Sequence, residues 1–371
     1  MELNSLQKPV IIISGINLRT GGPLTIIQDC LKFLSESVIS EKFRIIALVH
    51  KRELFTYENI EYIEFPDSIK FWIKRLYYEY FYFKKLSKKY NPYLWLSLHD
   101  ITPSVNAERQ AVYMHNPSIS NKFKFRDLRF DLTYVAFTFF YKFLYLKNIK
   151  KNIYCIVQQG WFRELCSEKF GIPEENIIVA RPNTEQYNYL RDPTRTPCRI
   201  FFFPALPRPF KNFEVICDAA SILYYRGVRD IKFRLTIDGS ESKYSHSIVS
   251  KYMSIPTIEF CGLIPKEKIT EAYNEADCLI FPSRLETWGL PISEFIPQNK
   301  PMLLSDLPYA HETAQGGELV AFFNPSDAMQ LANLVESAVK GDFMNFKNVP
   351  ITDLKPPTAA SYKDLFNILL N

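Results

Sequence analysis

Two carboxylates, Glu286 and Glu294, bracket a Trp-Gly-Leu-Pro core in the stretch 283-SRLETWGLPISE-294. The preceding run 277-DCLIFPS-283 predicts a buried strand that ends just before Glu286, and Pro291 suits the first residue of a following helix. Glu286 is thereby placed in a strand-to-helix loop, with Glu294 in the first helical turn or just after it. The backbone N–H groups near Gly289 and Leu290 then lie at a helix N-terminus, which attracts phosphate. Such spacing suits a nucleotide-sugar: one acid for sugar hydroxyls, one for ribose hydroxyls, and the phosphates between them. An amphipathic helix carrying two solvated acids is the plainer use of the same residues.

The elements that must position these acids are legible as alternating strands and helices. Buried-strand runs occur at 10–14, 44–50, 93–99, 110–115 and 153–159, with helical spacing between them that begins at 24-LTIIQDCLKFL-34. Around residues 181–198 the pattern breaks into RPNTEQYNYLRDPTRTPC, which reads as a linker. It restarts with strands at 199–204, 233–239, 257–262, 277–283 and 301–306, and with helices from Asn212, over 266–276 and from Pro291. We therefore expect an α/β chain of two doubly wound, Rossmann-like domains, 1–190 and 191–355. The remainder, 356–371, is a terminal helix over 358–370 that can return to the first domain. Ligands of open α/β sheets bind at the carboxyl ends of the strands, so a cleft between two such sheets is the expected site.

Length and composition agree with this. The 371 residues exceed one ordinary core and suit two. The net charge of +5 is mild, so a nucleic-acid partner is not indicated. The seven cysteines show no CxxC pair and no zinc spacing, and read as buried thiols in a reducing cytoplasm. No run of 18 apolar residues and no signal-peptide pattern occurs.

A Glu-x7-Glu element at a strand-helix turn, behind an aspartate-led buried strand, resembles the retaining glycosyltransferases of family four, which have the two-domain GT-B fold. The resemblance implies that Glu286 contacts the transferred sugar, that Gly289 and Leu290 face the donor phosphates, that Glu294 holds the ribose, and that Thr287 belongs to the donor-binding set. It extends to 203-FPALPRPFKNFE-214, where the family places a lysine that binds the nucleotide diphosphate; Lys211 with Asn212 matches. A cation is needed there because the departing diphosphate gains charge, and no DxD metal-binding element occurs in the chain. Metal is therefore not expected, nor is a cofactor: the nucleotide-sugar, UDP- or GDP-linked, is a substrate. Many family members carry an arginine five residues before the lysine, where Leu206 stands here; Arg208 is nearby and is a candidate replacement or a solvated loop charge.

The loop 14-SGINLRTGGP-23 resembles the family's glycine-rich first loop, with Gly21 and Gly22 letting the backbone approach a bound ligand. His115, in 113-YMHNP-117, matches a histidine at the end of a strand close to the reacting sugar, with His99 and Asp100 as second candidates. The turns 238-DGS-240 and 260-FCGLI-264 match those that line the base, which implicates Gly239, Gly262 and Leu263. Glu286, His115 and Lys211 are the implied catalytic set. The motifs look most like those of enzymes that move a hexosyl group onto a polyprenyl-diphosphate-linked glycan during O-antigen or related surface polysaccharide synthesis, at the cytoplasmic face of a bacterial inner membrane.

One region adds to this independently. Residues 70–90 interleave Lys70, Lys74, Arg75, Lys84, Lys85, Lys88 and Lys89 with aromatics against the single acid Glu79, and residues 122–152 repeat the habit. Such composition suits an anionic membrane interface. RNA binding and a solvated basic face over core aromatics are the competing uses. Two other functions stay open: a nucleotide-sugar epimerase of the same fold, which would turn over the donor alone, and a non-catalytic membrane-surface protein.

Overall fold

The computed structural model describes residues 8–117, 143–182 and 197–371, which fall into two compact units: 8–117, 143–182 and 354–371 form the first, and 197–353 the second. Most of the 181–198 linker and the segment 118–142 lie outside the described residues.

In the first unit, strands β1 (Val10–Gly15), β2 (Arg44–Val49), β3 (Ile60–Glu64), β4 (Leu94–Ser97), β5 (Arg109–Tyr113), β6 (Tyr154–Val157) and β7 (Ile177–Ala180) form one parallel sheet. In the second, β8 (Ile200–Phe203), β9 (Lys232–Leu235), β10 (Ile258–Phe260), β11 (Cys278–Phe281), β12 (Met302–Ser305) and β13 (Val320–Phe323) form another. A two-residue strand, β14 (Thr358–Ala359), extends the first sheet beside β7.

Burial on both faces explains the uninterrupted apolar runs. Along β1, Ile11 and Ile13 pack with Ile27, Leu31 and Leu34 of the helix Gly21–Glu36, together with Leu365, Phe366 and Leu369 of the terminal helix. Val10 and Ile12 point the other way and pack with Ile46, Phe83, Leu86 and Trp95. A strand with helices on both faces has no polar side to alternate.

Three differences from the sequence reading have physical causes. β3 is half exposed at the sheet edge and reads as charged in sequence, so no strand is predicted there. The terminal helix is Tyr362–Leu370 and not 358–370, because Ser361 caps it by accepting from the Asp364 amide and residues 358–359 pair as β14. Cys261 is exposed, unlike the six other cysteines, because it follows the short edge strand β10.

Candidate functional site

The second sheet runs β10-β9-β8-β11-β12-β13, so the winding reverses between β8 and β11. Loops leaving the carboxyl ends of those two neighbours border the crevice where an open α/β sheet holds its ligand. Lys211 comes from the loop after β8 and Glu286 from the loop after β11, and their side chains meet with Nζ 2.5 Å from Oε1. They are 17% and 14% exposed, so the pair is shielded from bulk water yet open to a ligand. The ring of Phe281 lies 5.3 Å below the ammonium and lends it a negative face.

Local chemistry shapes both loops. Asn212 ends the 3-10 turn Pro209–Lys211 in the left-handed region, which asparagine tolerates. Its buried amide donates to the carbonyls of Pro282, at 3.1 Å, and Pro325, at 2.8 Å. Both its amide protons are engaged in holding the Lys211 loop. Gly289 has φ +91, and a Cβ there would come within 3.3 Å of Ile292 and 3.4 Å of Phe281, so glycine is required. Tyr309, buried beneath, donates to the Ser283 carbonyl at 2.8 Å; burial first and the Glu286 charge second push its phenol well above the usual range.

The helix after this loop is Leu290–Phe295, only six residues before a 3-10 turn, so its dipole is weaker than the sequence suggested. Thr287 and Leu290 are half-buried. Glu294, also half-buried, accepts from the hydroxyl of buried Tyr273 at 2.7 Å. Tyr273 belongs to the neighbouring helix Ile269–Glu275, and nothing in the sequence links it to Glu294.

The remaining donor-side residues divide. Arg208 is exposed on the loop ahead of the 3-10 turn. Leu263 is exposed and Gly262 abuts Asp238, where a Cβ would meet Oδ2 at 3.1 Å. The amide of Gly239 donates to Glu241 at 3.1 Å within the same turn.

In the first unit the sheet order again reverses, between β1 and β4. Gly21 and Gly22 are exposed in open space at the start of their helix. His115 follows β5, with Nε2 2.9 Å from the Leu98 carbonyl. A carbonyl only accepts, so Nε2 carries the proton and Nδ1 is left as an acceptor. Burial pulls the His115 pKa down, with Asp100 opposing, which keeps the ring neutral. Asp100, with φ +64, accepts from the amides of His115 (2.5 Å) and Asn116 (3.0 Å) and from the Tyr145 hydroxyl (2.8 Å); it shapes this turn.

His99 does not join them. It is buried, its Nδ1 accepting from Arg75 at 3.3 Å, its Nε2 3.1 Å from Ser14 Oγ and 3.2 Å from Glu79 Oε1. Burial pushes Glu79 up to about 8 and His99 well below its usual value. Arg75 and Glu79, read from sequence as part of a basic face, thus point inward.

The segment holding them is continuous helix from Trp72 to Tyr90 with a π turn at Tyr78–Tyr82. Its outer face shows Ile73, 80% exposed, Tyr77 and Phe81, 65% exposed, then the exposed Lys84, Lys85, Lys88 and Lys89. Lys70 and Lys74 pair with Asp67 at 3.3 and 2.8 Å. Of the second basic segment, 122–142 lies outside the described residues; Phe143 and Leu146 are exposed and Lys147 lies over Tyr80. Among the described residues, no helix is long and apolar enough to cross a membrane, and no three His, Cys, Asp or Glu side chains converge as metal ligands.

Comparison with known proteins follows the same division. Residues 194–348 match the family model described as Glycosyl transferases group 1. The O-antigen chain mannosyltransferase RfbU of Salmonella typhimurium is 20% identical over 191 residues, 51% of this chain and 51% of that protein, so the chain spans about half the length of this curated relative. The lipopolysaccharide outer core galactosyltransferase WaaB, in its apo form, is 13% identical over 90% of this chain and 91% of its own, with a TM-score of 0.61. Anabaena HepE in complex with UDP-glucose is 12% identical over 90% and 93%, with a TM-score of 0.56. Such low identity speaks to fold. With two parallel sheets, each reversing its winding once, and these neighbours over nine-tenths of its length, the chain has the GT-B fold, and its residues 194–348 match the model of the group 1 glycosyl transferases.

Proposed function

We propose that the chain is a retaining, metal-independent glycosyltransferase that moves a hexosyl unit from a nucleotide-sugar, UDP- or GDP-linked, to a lipid-linked glycan acceptor in O-antigen or related surface polysaccharide synthesis. The observation that carries this reading is the Lys211–Glu286 pair at the winding reversal of the second sheet. A donor diphosphate entering there competes with Glu286 for Lys211 and frees the carboxylate to hold sugar hydroxyls. As the bond from the anomeric carbon to the diphosphate breaks, Lys211, with Arg208 nearby, meets the charge that develops on the leaving oxygens. The acceptor oxygen bonds the same face of an oxocarbenium-like carbon, and its proton passes to the departing phosphate oxygen. Glu294 takes the ribose hydroxyls, the hydrogen bond it accepts from Tyr273 holding it in place. His115, neutral with Nδ1 as acceptor, is suited to receive a hydrogen bond from a sugar hydroxyl.

The acceptor's lipid keeps it in a bilayer, so the enzyme must come to the surface. The outer face of the helix Trp72–Tyr90, with aromatics at one end and four lysines at the other, suits a peripheral site on an anionic membrane such as the inner face of the cell membrane.

Calorimetry with nucleoside diphosphates and their sugars, in EDTA, tests the reading. Binding of one nucleoside diphosphate, with sugar transfer that survives chelation, is expected. Activity that vanishes with EDTA and returns with Mg²⁺ would overturn metal independence, and turnover of the donor with no acceptor would point to an epimerase.

A further inference from the structure

We propose that Arg284 is a positioning residue that clasps the Lys211 loop to the Glu286 loop; the inference deepens the donor-site reading above. The loop 204-PALPRP-209 carries three prolines, none of which has an N–H to donate; the Lys211 amide meets the Arg208 carbonyl at 2.9 Å and the Asn212 amide the Pro209 carbonyl at 3.2 Å, and residues from other elements add to these. At its start Thr236 serves: Oγ1 accepts from the Ala205 amide at 2.8 Å and donates to the Ala205 carbonyl at 2.9 Å. At its end Arg284 serves. Its amide donates to the Phe210 carbonyl at 2.7 Å and its Nη2 to the Pro209 carbonyl at 2.6 Å.

These are the two residues immediately before Lys211, and Arg284 is two residues before Glu286. One arginine therefore fixes both approaches to the 2.5 Å ion pair. A charged donor to a carbonyl is stronger than a neutral one, and a short bond at the root of a loop limits how far its tip can stray. The amide bond persists whatever side chain stands at 284, and the Asn212 anchors to Pro282 and Pro325 persist as well. Removing the guanidinium loosens the loop without dismantling it.

The test has a ligand-free arm and a ligand arm. Trace acetylation followed by mass spectrometry reports the reactivity of each lysine, with exposed Lys84 as the internal standard. Arg284→Met should raise the reactivity of Lys211 about threefold or more as the ion pair splays, with Lys84 unchanged and unfolding still cooperative. In calorimetry with UDP and GDP, the same variant should bind about tenfold more weakly, because Lys211 is no longer held in place for the diphosphate. Arg284→Lys, which keeps a charged donor, should recover part of both effects. Unchanged Lys211 reactivity in Arg284→Met overturns the clasp. Raised reactivity with undiminished nucleotide affinity overturns its service to the site. A wild-type protein that binds neither nucleotide overturns the donor-site reading instead, and the acetylation arm still decides the clasp.

Discussion

The two sheets reverse their winding at the same place, between their first and fourth strands, but put opposite chemistry there. In the second unit a lysine and a glutamate meet as ions, partly open to solvent. In the first, Ser14 at the end of β1 and His99 beyond β4 are sealed beneath Arg75 and Glu79, and burial favours the proton on Glu79 and a neutral His99. The fold supplies a crevice at each reversal; side chains decide whether it holds a partly open ion pair or a buried joint. A half-buried ion pair at the mouth of a crevice can give up one partner to a ligand phosphate, whereas a fully buried polar network is costly to disturb.

The comparison breaks most sharply at Lys211. Lys211→Ala should lower sugar transfer by about a hundred- to a thousandfold, as loss of one preorganised charge-stabilising donor does. Nucleoside diphosphate binding should weaken by roughly 1.5 to 3 kcal/mol with little change in unfolding temperature. If calorimetry finds undiminished affinity, the second reversal is not the phosphate site.

On the first unit, replacing Lys84, Lys85, Lys88 and Lys89 together with glutamine should cut binding to anionic vesicles at least tenfold, since each lysine near such a surface contributes about 1 kcal/mol. Nucleotide binding should not change. Salt at 1 M, where the screening length is about 3 Å, should mimic the variant in co-sedimentation. Failure of the wild type to sediment with anionic vesicles at low salt would remove the docking face.

A smaller effect separates the buried joint from the ion pair. Glu79 keeps its proton in the folded state up to about pH 8, while an unfolded glutamate loses it near 4.3, so its contribution to stability falls as pH rises between those values. His99, depressed by burial, acts in the opposite sense and weakens the fold as pH falls below about 6.5, and Arg75 faces both. The clean window for Glu79 is therefore roughly pH 6.5 to 8. Denaturant unfolding there should show wild-type stability declining by at most about 1.4 kcal/mol per pH unit, with Glu79→Gln flatter. A slope equal in both proteins would mean that Glu79 is ionised in the fold.

The smallest change concerns the first loop. Gly21 has φ +64 in open space, so Gly21→Ala should cost about 1 kcal/mol through backbone strain alone. Gly22→Ala, with no such φ, should be neutral or stabilising by a few tenths. Equal effects in thermal unfolding would show that the loop's shape does not need its first glycine.

Much of the second site was legible because its residues sit close in sequence to strong strand signals. Strand 277–283, Gly289 and Pro291 mark a strand-loop-helix turn, and Glu286 falls inside it. Arg284 carries no such mark: its partners, the carbonyls of Pro209 and Phe210, are distant in the chain and are backbone atoms that any residue would present. Tyr273 and Tyr309 were invisible for the same reason, each reaching the site from another helix. In the helix Trp72–Tyr90 the composition shows a basic, aromatic segment but not which side faces in. A π turn shifts the angular register of its residues, and Arg75 and Glu79 lie inside while the lysines after it lie outside.

The sequence by itself determined the alternation of apolar runs and helices, and hence two parallel sheets, because strands covered on both faces must be apolar throughout. It also determined the types of charge available at the second winding reversal. Only the tertiary structure decided which charges meet. Strand order brings the ends of β8 and β11 together, which pairs Lys211 with Glu286 across 75 residues, and the order β1-β4 draws Ser14 to His99 across 85. Strand order depends on how helices cover both faces of a whole sheet, a sum over long-range contacts that no local pattern encodes.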